Sequence, residues 1–312
     1  MGALEYYPEL LPDYDGRLID LAMIAEQTEQ FLQGESVDVL EELRICGGSP
    51  GGARPKVTVA FSEDMRVCIS GFGDLPANYS HWMVKFRNDD RNGAGDPVDI
   101  GRQEMAYADM AREAGLDMPR THLLELKVRG REEAYFAVQR FDRIGAREVH
   151  FLSLAGYAYA SHREPCLDYS SGVLAATRKL TKSDDEVAMA YRLMLFNVLA
   201  HNKDDHSKNF AYLLDPLKQS WRLAPAYDLT FNRGLSNQHT TSINGAGNPV
   251  LKDLKQVAAD RGVRRWQEML DQVRAAVAKW PMFAKEYDLS SMRTRDITRD
   301  LQAVDRECRA GG

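Results

Sequence analysis

The chain has 312 residues, of which 44% are hydrophobic and 28% charged, and this composition is typical of a soluble globular protein with about two domains or lobes. The net charge of −6 argues against nucleic acid as the main partner. No run approaches the ~18 apolar residues of a membrane span, and the first residues lack a basic segment followed by an apolar core, so we expect a cytoplasmic protein. The four cysteines are far apart and form no CxxC pair, so neither a zinc site nor a disulfide framework is predicted.

The first half of the chain predicts a helical segment followed by a strand-rich block. Residues 1–45 look helical, with Leu18, Leu21 and Ala25 on one apolar stripe. A loop rich in glycine and proline follows at 46–56. The other predicted elements of this half are strands at 57–61, 66–70 and 82–86, a helix at 103–114, and a hairpin of 121–128 with 134–141.

The second half is predicted to be mainly helical. A helix at 183–200 has an apolar face, and Ser183 with Glu186 predicts a capping box at its start. A short hairpin follows, and the pattern is helical from Leu251 onward. We therefore predict an α+β, bilobal fold with an N-terminal helical segment (1–45), a small sheet-rich lobe (46–141) and a larger helical lobe (142–312). By analogy of architecture alone this order is protein-kinase-like, and in that analogy the first lobe would be the nucleotide-binding lobe and the second the catalytic lobe.

The most informative segment lies between the predicted helix and the hairpin. It reads His201-Asn202-Lys203-Asp204-Asp205-His206-Ser207-Lys208-Asn209, and a further carboxylate follows at Asp228. Phosphoryl transfer of the protein-kinase kind needs an Asp that takes the proton of the attacking hydroxyl, and an Asn and a second Asp that hold Mg²⁺ against the nucleotide phosphates. Asp204 and Asn209 have the Asp-x-x-x-x-Asn spacing of kinase catalytic loops, which favours Asp204 over Asp205 as the base.

The same segment has an alternative interpretation as a metal site. His201, Asp204, Asp205 and His206 resemble the ligand clusters of metal-dependent phosphohydrolases. Such a site needs further ligands from distant helices, and the chain has only seven histidines, none of which makes a second paired cluster. The kinase interpretation is therefore favoured, and the metal site stays open.

Candidate nucleotide-binding residues lie upstream, in the glycine-rich loop and on the third strand. Glycines within 47–52 let backbone N–H groups approach phosphate oxygens, and Arg54 and Lys56 add positive charge. The loop is not a Walker A motif, and it also fits a plain surface turn. Lys85 lies inside an apolar strand, where it either binds phosphates or points outward. Glu104 either pairs with Lys85 or favours the start of its helix.

A hinge is predicted where the two lobes join, at Gln139-Arg140-Phe141-Asp142-Arg143. There the chain could offer backbone groups and an aromatic face to adenine. The alternative is a strand end with salt-bridging charges.

Together these residues resemble the HipA family, the serine/threonine-kinase toxins of bacterial toxin–antitoxin pairs. Each motif is unspecific alone, but six occur in family order between about residues 45 and 235. The matching motifs are Ser49-Pro50-Gly51-Gly52-Ala53-Arg54-Pro55-Lys56, Lys85, Glu104 with Ala111-Arg112-Glu113-Ala114-Gly115-Leu116, Arg140-Phe141-Asp142-Arg143, Asp204-Asp205-His206-Ser207-Lys208-Asn209-Phe210, and Pro225-Ala226-Tyr227-Asp228. The resemblance favours a phosphate-binding role for the loop and for Lys85 over their plainer interpretations.

The resemblance implies a role for each matching residue. Asp204 would be the catalytic base, and Asn209 and Asp228 would be the magnesium ligands. ATP would be bound by Gly51, Gly52, Ala53, Arg54, Pro55, Lys56, Lys85, Gln139, Arg140, Phe141, His206, Lys208, Asn209, Tyr227 and Asp228. Ser49 matches the serine that family members autophosphorylate. A phosphate there adds roughly two negative charges beside a loop that must accept ATP, so it would expel the loop and silence the kinase.

Two departures from the family pattern bear on partners. Longer members carry an extra N-terminal subdomain that we do not find here, so we expect a short form similar to HipT, in which a separate small protein, HipS, supplies that piece. Relatives often have a small residue at the position of Asp205. The resemblance also implies a HipB-like antitoxin, with DNA contacted only indirectly through it.

The main hypothesis is therefore an ATP- and Mg²⁺-dependent serine/threonine-protein kinase that acts as a toxin. Family members phosphorylate aminoacyl-tRNA synthetases and stall translation, so the resemblance implies such a substrate and an inhibition of growth. Two alternatives stay open: a small-molecule kinase with the same nucleotide site, and a non-catalytic module that holds an antitoxin.

Overall fold

The computed structural model describes Ala3 and residues 18–32, 54–72, 75–88, 96–145, 147–161 and 167–310. It divides into two compact units, which we describe separately. The sheet unit comprises Leu4–Met105 and Pro119–Glu148, and the helical unit comprises Met1–Ala3, Ala106–Met118 and Val149–Gly312.

The sheet unit is built on a five-stranded antiparallel sheet in the order β2-β1-β3-β5-β4. Its elements in chain order are helix α1 (Leu21–Leu32), strands β1 (Lys56–Ser62), β2 (Cys68–Ser70) and β3 (Tyr79–Lys85), the first residues of helix α2 (Ile100–Glu113), strands β4 (Thr121–Val128) and β5 (Arg131–Gln139), and the short pair β6 (Arg143–Ile144) and β7 (Arg147–Glu148). The predicted strands and hairpin are present, with ends shifted by a few residues.

Alternation along the strands gives this sheet two different faces. One face is apolar: Val59, Trp82 and Val84 are almost inaccessible to solvent and belong to the same core cluster as Ile24 and Ala25 of α1. The other face is more polar. The register places Lys56 opposite Lys85 and Thr58 opposite Met83, and residues opposite each other in an antiparallel pair share a face. Lys85 therefore lies on the face away from α1.

Leu18 does not belong to the apolar stripe of α1, contrary to the sequence prediction. It is 70% exposed and forms a β-bridge with Ile69. The helix begins three residues later because Asp20 caps it, its Oδ1 accepting the N–H groups of Ala22 (2.9 Å) and Met23 (3.2 Å). The rest of the predicted helical segment, around Leu40, lies outside the described residues.

The helical unit combines a three-stranded antiparallel sheet, of order β10-β9-β8, with a mostly helical body. Its elements are β8 (Phe151–Ser153), α3 (Leu154–Ala158), a π-helix (Tyr169–Leu174), α4 (Ala175–Thr181), α5 (Asp184–Leu199), a 3-10 turn (Ser207–Asn209), β9 (Ala211–Asp215), β10 (Ser220–Leu223), a second 3-10 turn (Leu235–Asn237), α6 (Leu251–Arg261), α7 (Trp266–Ala278), α8 (Trp280–Glu286) and α9 (Ser291–Ala310). Every residue of 193–200 is buried, so α5 is the central helix of this unit. In the described part of the chain, no helix has the length and apolar character that crossing a membrane requires.

The predicted start of α5 is present, but only half of the predicted capping box forms. The Ser183 hydroxyl accepts the N–H of Glu186 at 3.3 Å, as an N-cap does. The N–H of Ser183 instead donates to Thr181 Oγ1, and Glu186 Oε2 accepts the N–H of Leu223 at 3.2 Å. Glu186 therefore joins α5 to strand β10 and does not close the box.

Candidate active site

The candidate catalytic loop, residues 201–210, connects the central helix α5 to strand β9. Three consecutive charged residues of this loop differ sharply in exposure. Lys203 is 5% exposed and Asp205 is 0% exposed, whereas Asp204 between them is open to solvent. The loop thus turns two charged side chains inward and presents one carboxylate outward.

Asn209 returns to Asp204 through the 3-10 turn Ser207–Asn209. Its Nδ2 donates a hydrogen bond to the main-chain oxygen of Asp204 at 2.8 Å. The two residues with kinase-like spacing are therefore joined directly. Because the amide nitrogen makes this contact, the carboxamide oxygen is the atom turned towards other partners.

Asp228 approaches the same loop from the segment after β10. Its φ of 58° lies in the left-handed region, which Asp tolerates better than most residues. The hydroxyl of the preceding Tyr227 donates to the main-chain oxygen of Lys208 at 2.5 Å. This bond ties the Asp228 turn to the catalytic loop. Asp204, Lys208 and Asp228 are all exposed, and His206 is half-buried.

The charges around Asp204 influence its protonation. Desolvation by the surrounding protein is the largest influence on Asp204 and raises its pKa, and the charges of Asp228 and Asp205 raise it further. His206 opposes this shift. The negative charges of the exposed Asp204 and Asp228 carboxylates make this a place where a cation is favoured.

The donor atoms of this place fit Mg²⁺. The carboxylate of Asp228 and the amide oxygen of Asn209 are hard oxygen ligands. Mg²⁺ typically takes one or two carboxylates from the protein and completes its shell with water and substrate phosphates. Asn209 and Asp228 are therefore the residues that would hold it.

The alternative histidine–carboxylate metal cluster is not formed. Within the described ranges, no group of three or more His, Cys, Asp or Glu side chains is arranged to hold a metal ion. His201 stacks on Phe231, with ring centroids 5.0 Å apart, and its Nδ1 lies 3.3 Å from the main-chain oxygen of Asn232. Asp205 is fully buried, and its carboxylate accepts hydrogen bonds from the hydroxyl of Tyr169 and the N–H of Thr240.

In the sheet unit, Lys85 is the centre of a second set of predicted residues. It is only 7% exposed, and its Nζ lies 2.8 Å from Glu104 Oε1 on helix α2, so it is not an outward surface lysine. The Nζ of Lys85 also lies over the ring of Phe136, 5.6 Å from the centroid. Lys56 is its cross-strand neighbour, so two lysines stand side by side on one face.

Arg54 does not stand apart as a phosphate ligand. Its guanidinium contacts Glu104 Oε2 at 2.7 Å and Asp96 at 2.9 Å. Glu104 thus bridges Arg54 and Lys85, which the sequence predicts separately as phosphate-binding cations. The main-chain oxygen of Pro55 accepts the N–H of Phe86, which extends the pairing of β1 with β3.

The predicted adenine hinge shows the contacts of a strand end with paired charges. The N–H of Gln139 donates to Arg120 O and that of Arg140 to His81 O, so both are already engaged within the sheet unit. The guanidinium of Arg140 makes a two-pronged contact with Asp142, each bond 2.9 Å long. Phe141 is half-buried at this point.

Four predicted positions lie outside the described residues: Ser49, Gly51, Gly52 and Ala53. Of the others, one group gathers in the helical unit around Asp204, and Arg54 and Lys85 meet at Glu104 in the sheet unit. The hinge residues Gln139, Arg140 and Phe141 belong to neither group. Sequence reasoning missed the importance of Asp205, Tyr169 and His239, which form a buried network behind Asp204. The adjacency of two aspartates was the only signal available for it.

Comparison with known proteins points to one family. The model of the HipA-like C-terminal domain matches residues 48–280. The fold is similar to that of HipA from Shewanella oneidensis MR-1, solved with HipB and its operator DNA, with a TM-score of 0.65 and 16% identity over 97% of this chain and 73% of that one. CtkA, a proinflammatory kinase of Helicobacter pylori, is also similar, with a TM-score of 0.49 and 12% identity over 83% of this chain and 92% of that one. No curated protein matches the sequence.

Proposed function

The chain belongs to the HipA-like C-terminal domain family, and from this membership we propose that it is an ATP- and Mg²⁺-dependent serine/threonine-protein kinase that acts as the toxin of a toxin–antitoxin pair. The observation that carries the proposal is the junction of Asp204, Asn209 and Asp228. Asn209 donates to the Asp204 main chain, and Tyr227, next to Asp228, donates to Lys208 of the same loop. A base and two oxygen ligands for a cation thus come from two turns tied together.

Each residue has a distinct task in this proposal. Asp204 accepts the proton of the attacking serine hydroxyl, and its raised pKa brings it closer to that task. Asn209 and Asp228 hold Mg²⁺, which when bound neutralises the charge of the transferring phosphoryl group. Lys85, aligned by Glu104, binds nucleotide phosphates, with Lys56 beside it. Catalysis of this kind consists of positioning and charge stabilisation, with little covalent chemistry by the protein.

The first test replaces the two carboxylates by shape-matched amides. We expect Asp204→Asn to lower phosphate transfer by about 10²–10⁴-fold while ATP still binds, because only the proton acceptor is lost. We expect Asp228→Asn to weaken Mg-ATP binding as well, because a charged ligand is lost. Transfer is measured with labelled ATP, and nucleotide binding by calorimetry.

The matched control is Asp260→Asn, an exposed aspartate on α6 that accepts a hydrogen bond from Gln256, one turn away on the same helix. It should keep wild-type transfer. Full activity of Asp204→Asn would remove that residue as the base. Label that enters only small molecules from a cell extract would mean a small-molecule kinase, and a wild-type chain that does not bind ATP would mean a non-catalytic module.

The substrate and the partners are further parts of the proposal. We infer an aminoacyl-tRNA synthetase as the phosphorylated protein, a HipB-like antitoxin as the neutralising partner, and a small HipS-like protein as a further partner. The antitoxin is supported by the similar fold of the Shewanella protein, which was solved with HipB. Phosphoproteomics after brief expression of wild type and Asp204→Asn identifies the target, and the same spectra report whether Ser49 carries phosphate.

A further inference from the structure

The candidate base Asp204 lies between two charged residues that solvent does not reach. Lys203 and Asp205 both point into the protein, and both bind the same segment, residues 235–248, which we call the strap. Burying an ammonium and a carboxylate costs several kcal/mol for each ion unless hydrogen bonds replace the lost water, by order of magnitude. Their partners therefore decide what these two charges do.

Asp205 has four donors around its carboxylate. Its Oδ2 binds the hydroxyl of Tyr169 and the Nδ1 of His239, each at 2.8 Å. Its Oδ1 accepts the main-chain N–H groups of Thr240 (2.9 Å) and Thr241 (3.3 Å). The hydroxyl of Thr241 also donates to the Asp205 main-chain oxygen at 2.5 Å. Four donors fill the hydrogen-bonding capacity of a carboxylate, so both its oxygens are fixed in direction.

Lys203 is held in the same way by residues near both ends of the strap. Its Nζ donates to the main-chain oxygen of Asn237 (2.8 Å), to Asn237 Oδ1 (3.1 Å) and to Asn248 Oδ1 (2.7 Å). Three acceptors satisfy all three protons of an ammonium group. The main-chain oxygen of Lys203 accepts both the N–H and the hydroxyl of Thr240, each at 3.1 Å.

The strap is itself fixed to the body of the helical unit. Asp168, at the start of the π-helix, accepts the hydroxyl of Ser242 at 2.9 Å and the N–H of Gly245 at 3.0 Å. Asn244 donates to Asp253 of helix α6 at 2.9 Å. The strap is therefore hydrogen-bonded to two other elements, the start of the π-helix and helix α6.

The network also reaches the central helix. Asn197 of α5 donates to the hydroxyl of Tyr169 at 2.9 Å and accepts a hydrogen bond from the amide of Asn202 at the same distance. The loop that carries Asp204 is thus clamped between the helix before it and the strap that follows Asp228 in the chain.

We propose that Lys203 and Asp205 are positioning residues, which clamp the catalytic loop on the strap and so fix the direction of the Asp204 carboxylate. The inference rests on the proposed kinase function. Both side chains are buried and fully hydrogen-bonded within the helical unit, so they act through Asp204 and not on ATP or on the substrate. A displacement of a reacting group by about 1 Å can cost 10²-fold in rate, so a clamp has a measurable kinetic effect.

The test uses Asp205→Asn, which keeps the shape but removes two of the acceptor functions, and Thr241→Val, which removes one hydroxyl from the network. We expect kcat to fall roughly 10- to 100-fold in Asp205→Asn and several-fold in Thr241→Val, with the KM for ATP changed by less than about threefold. Hydrogen exchange should become faster in residues 203–210 and in the strap, and stay unchanged in α6–α9.

Thr177→Val is the matched control for Thr241→Val. Its hydroxyl is equally buried, donates to Val173 O and contacts the Tyr212 hydroxyl, but it lies on α4, outside the clamp. This variant should lose some stability and keep wild-type kcat. A purely structural role for the clamp predicts instead that Thr241→Val and Thr177→Val behave alike, and that result would overturn the proposal.

The remaining outcomes also decide between a positioning role and a purely structural role of the clamp. If Asp205→Asn does not fold, the same comparison is made with Lys203→Met and Thr241→Val. If the folded variants keep wild-type kcat, the clamp is rejected while the kinase function stands. If the wild-type chain transfers no phosphate, the kinase function fails, and exchange alone judges the clamp: faster exchange confined to the loop and strap supports it, and unchanged exchange rejects it.

Discussion

Glu104 is shared by two cations, and this arrangement separates the structural from the functional role of Lys85. The carboxylate is 2% exposed, with Lys85 on one oxygen at 2.8 Å and Arg54 on the other at 2.7 Å. Removing one partner of a buried pair leaves a charge with too few hydrogen bonds. Because Arg54 remains, Glu104 keeps one of its two neutralising contacts when Lys85 is lost.

We expect Lys85→Met to lower the free energy of unfolding by about 1–3 kcal/mol, less than the loss of an isolated buried partner. The double variant Lys85→Met with Glu104→Gln should recover part of that stability, because the excess negative charge is gone. If Lys85 binds phosphate, Lys85→Met loses ATP affinity and the double variant does not recover it. Urea unfolding measures the first effect and calorimetry the second. Recovered ATP affinity in the double variant would show that Lys85 only neutralises Glu104.

At the scale of elements, helix α2 begins in direct contact with the backbone of strand β5. A Cβ added to Gly101 would lie 2.1 Å from the main-chain oxygen of Ala134. No rotation of a side chain relieves such a contact, because the obstacle is backbone. The glycine is therefore required by the close approach of helix and strand, and this part of α2 also carries Glu104.

We expect Gly101→Ala to destabilise the protein by about 1–3 kcal/mol, although alanine is normally favoured over glycine in helices by about 1 kcal/mol. Gly156→Ala on α3 is the matched change without the clash, since its nearest neighbours lie at 3.4 and 3.5 Å. That variant should be neutral or slightly more stable. Thermal unfolding of both variants checks the opposite signs. Equal effects would mean that the helix start moves away from β5 at little cost.

The start of α5 shows how far local signals reach at this scale. Ser183 and Glu186 predicted the first turn correctly, because an N-cap bond joins residues only three positions apart. The partner of the Glu186 side chain is Leu223, 37 positions away, and no local pattern indicates it. The prediction was wrong only for the half of the capping box whose side-chain partner is set by tertiary structure.

At the scale of the whole molecule, the predicted α+β fold of the HipA-like, kinase-like kind is confirmed by the family match and by the similar fold of the Shewanella structure. The chain carries 46 acidic and 40 basic residues, which gives its net charge of −6. Non-specific binding to DNA depends on neutralising phosphates with a surplus of Lys and Arg. The chain as a whole has no such surplus.

We therefore expect the chain alone not to bind duplex DNA at physiological salt, with a dissociation constant weaker than the roughly 10⁻⁴ M limit of ordinary non-specific DNA binders. Fluorescence anisotropy of a labelled duplex is the measurement, with a helix-turn-helix repressor and its own operator as the positive control. Salt-dependent binding by the chain alone would contradict this prediction and would reveal a basic surface that net charge conceals.

The amino-acid sequence by itself determined the features that depend on short separations. Asp204 and Asn209 could be paired from their spacing, because one tight loop joins them. The alternation along β3 indicated that Lys85 and Met83 share a face, since that period belongs to every strand, whereas the register that places Lys56 opposite Lys85 came from the structure. The family, too, was legible from the order of its motifs.

Only the tertiary structure decided which charges are paired and which are buried. Arg54 meets Glu104 and Asp96 because the fold brings distant segments of the sheet unit together, and Asp205 turns inward because Tyr169 and the strap supply its hydrogen bonds. A buried charge is stable only where several donors or acceptors converge on it, and these come from segments tens of residues apart. The spacing to Asn209 favours Asp204 over the adjacent Asp205, but only the long-range packing shows that one carboxylate is exposed and the other is buried behind it.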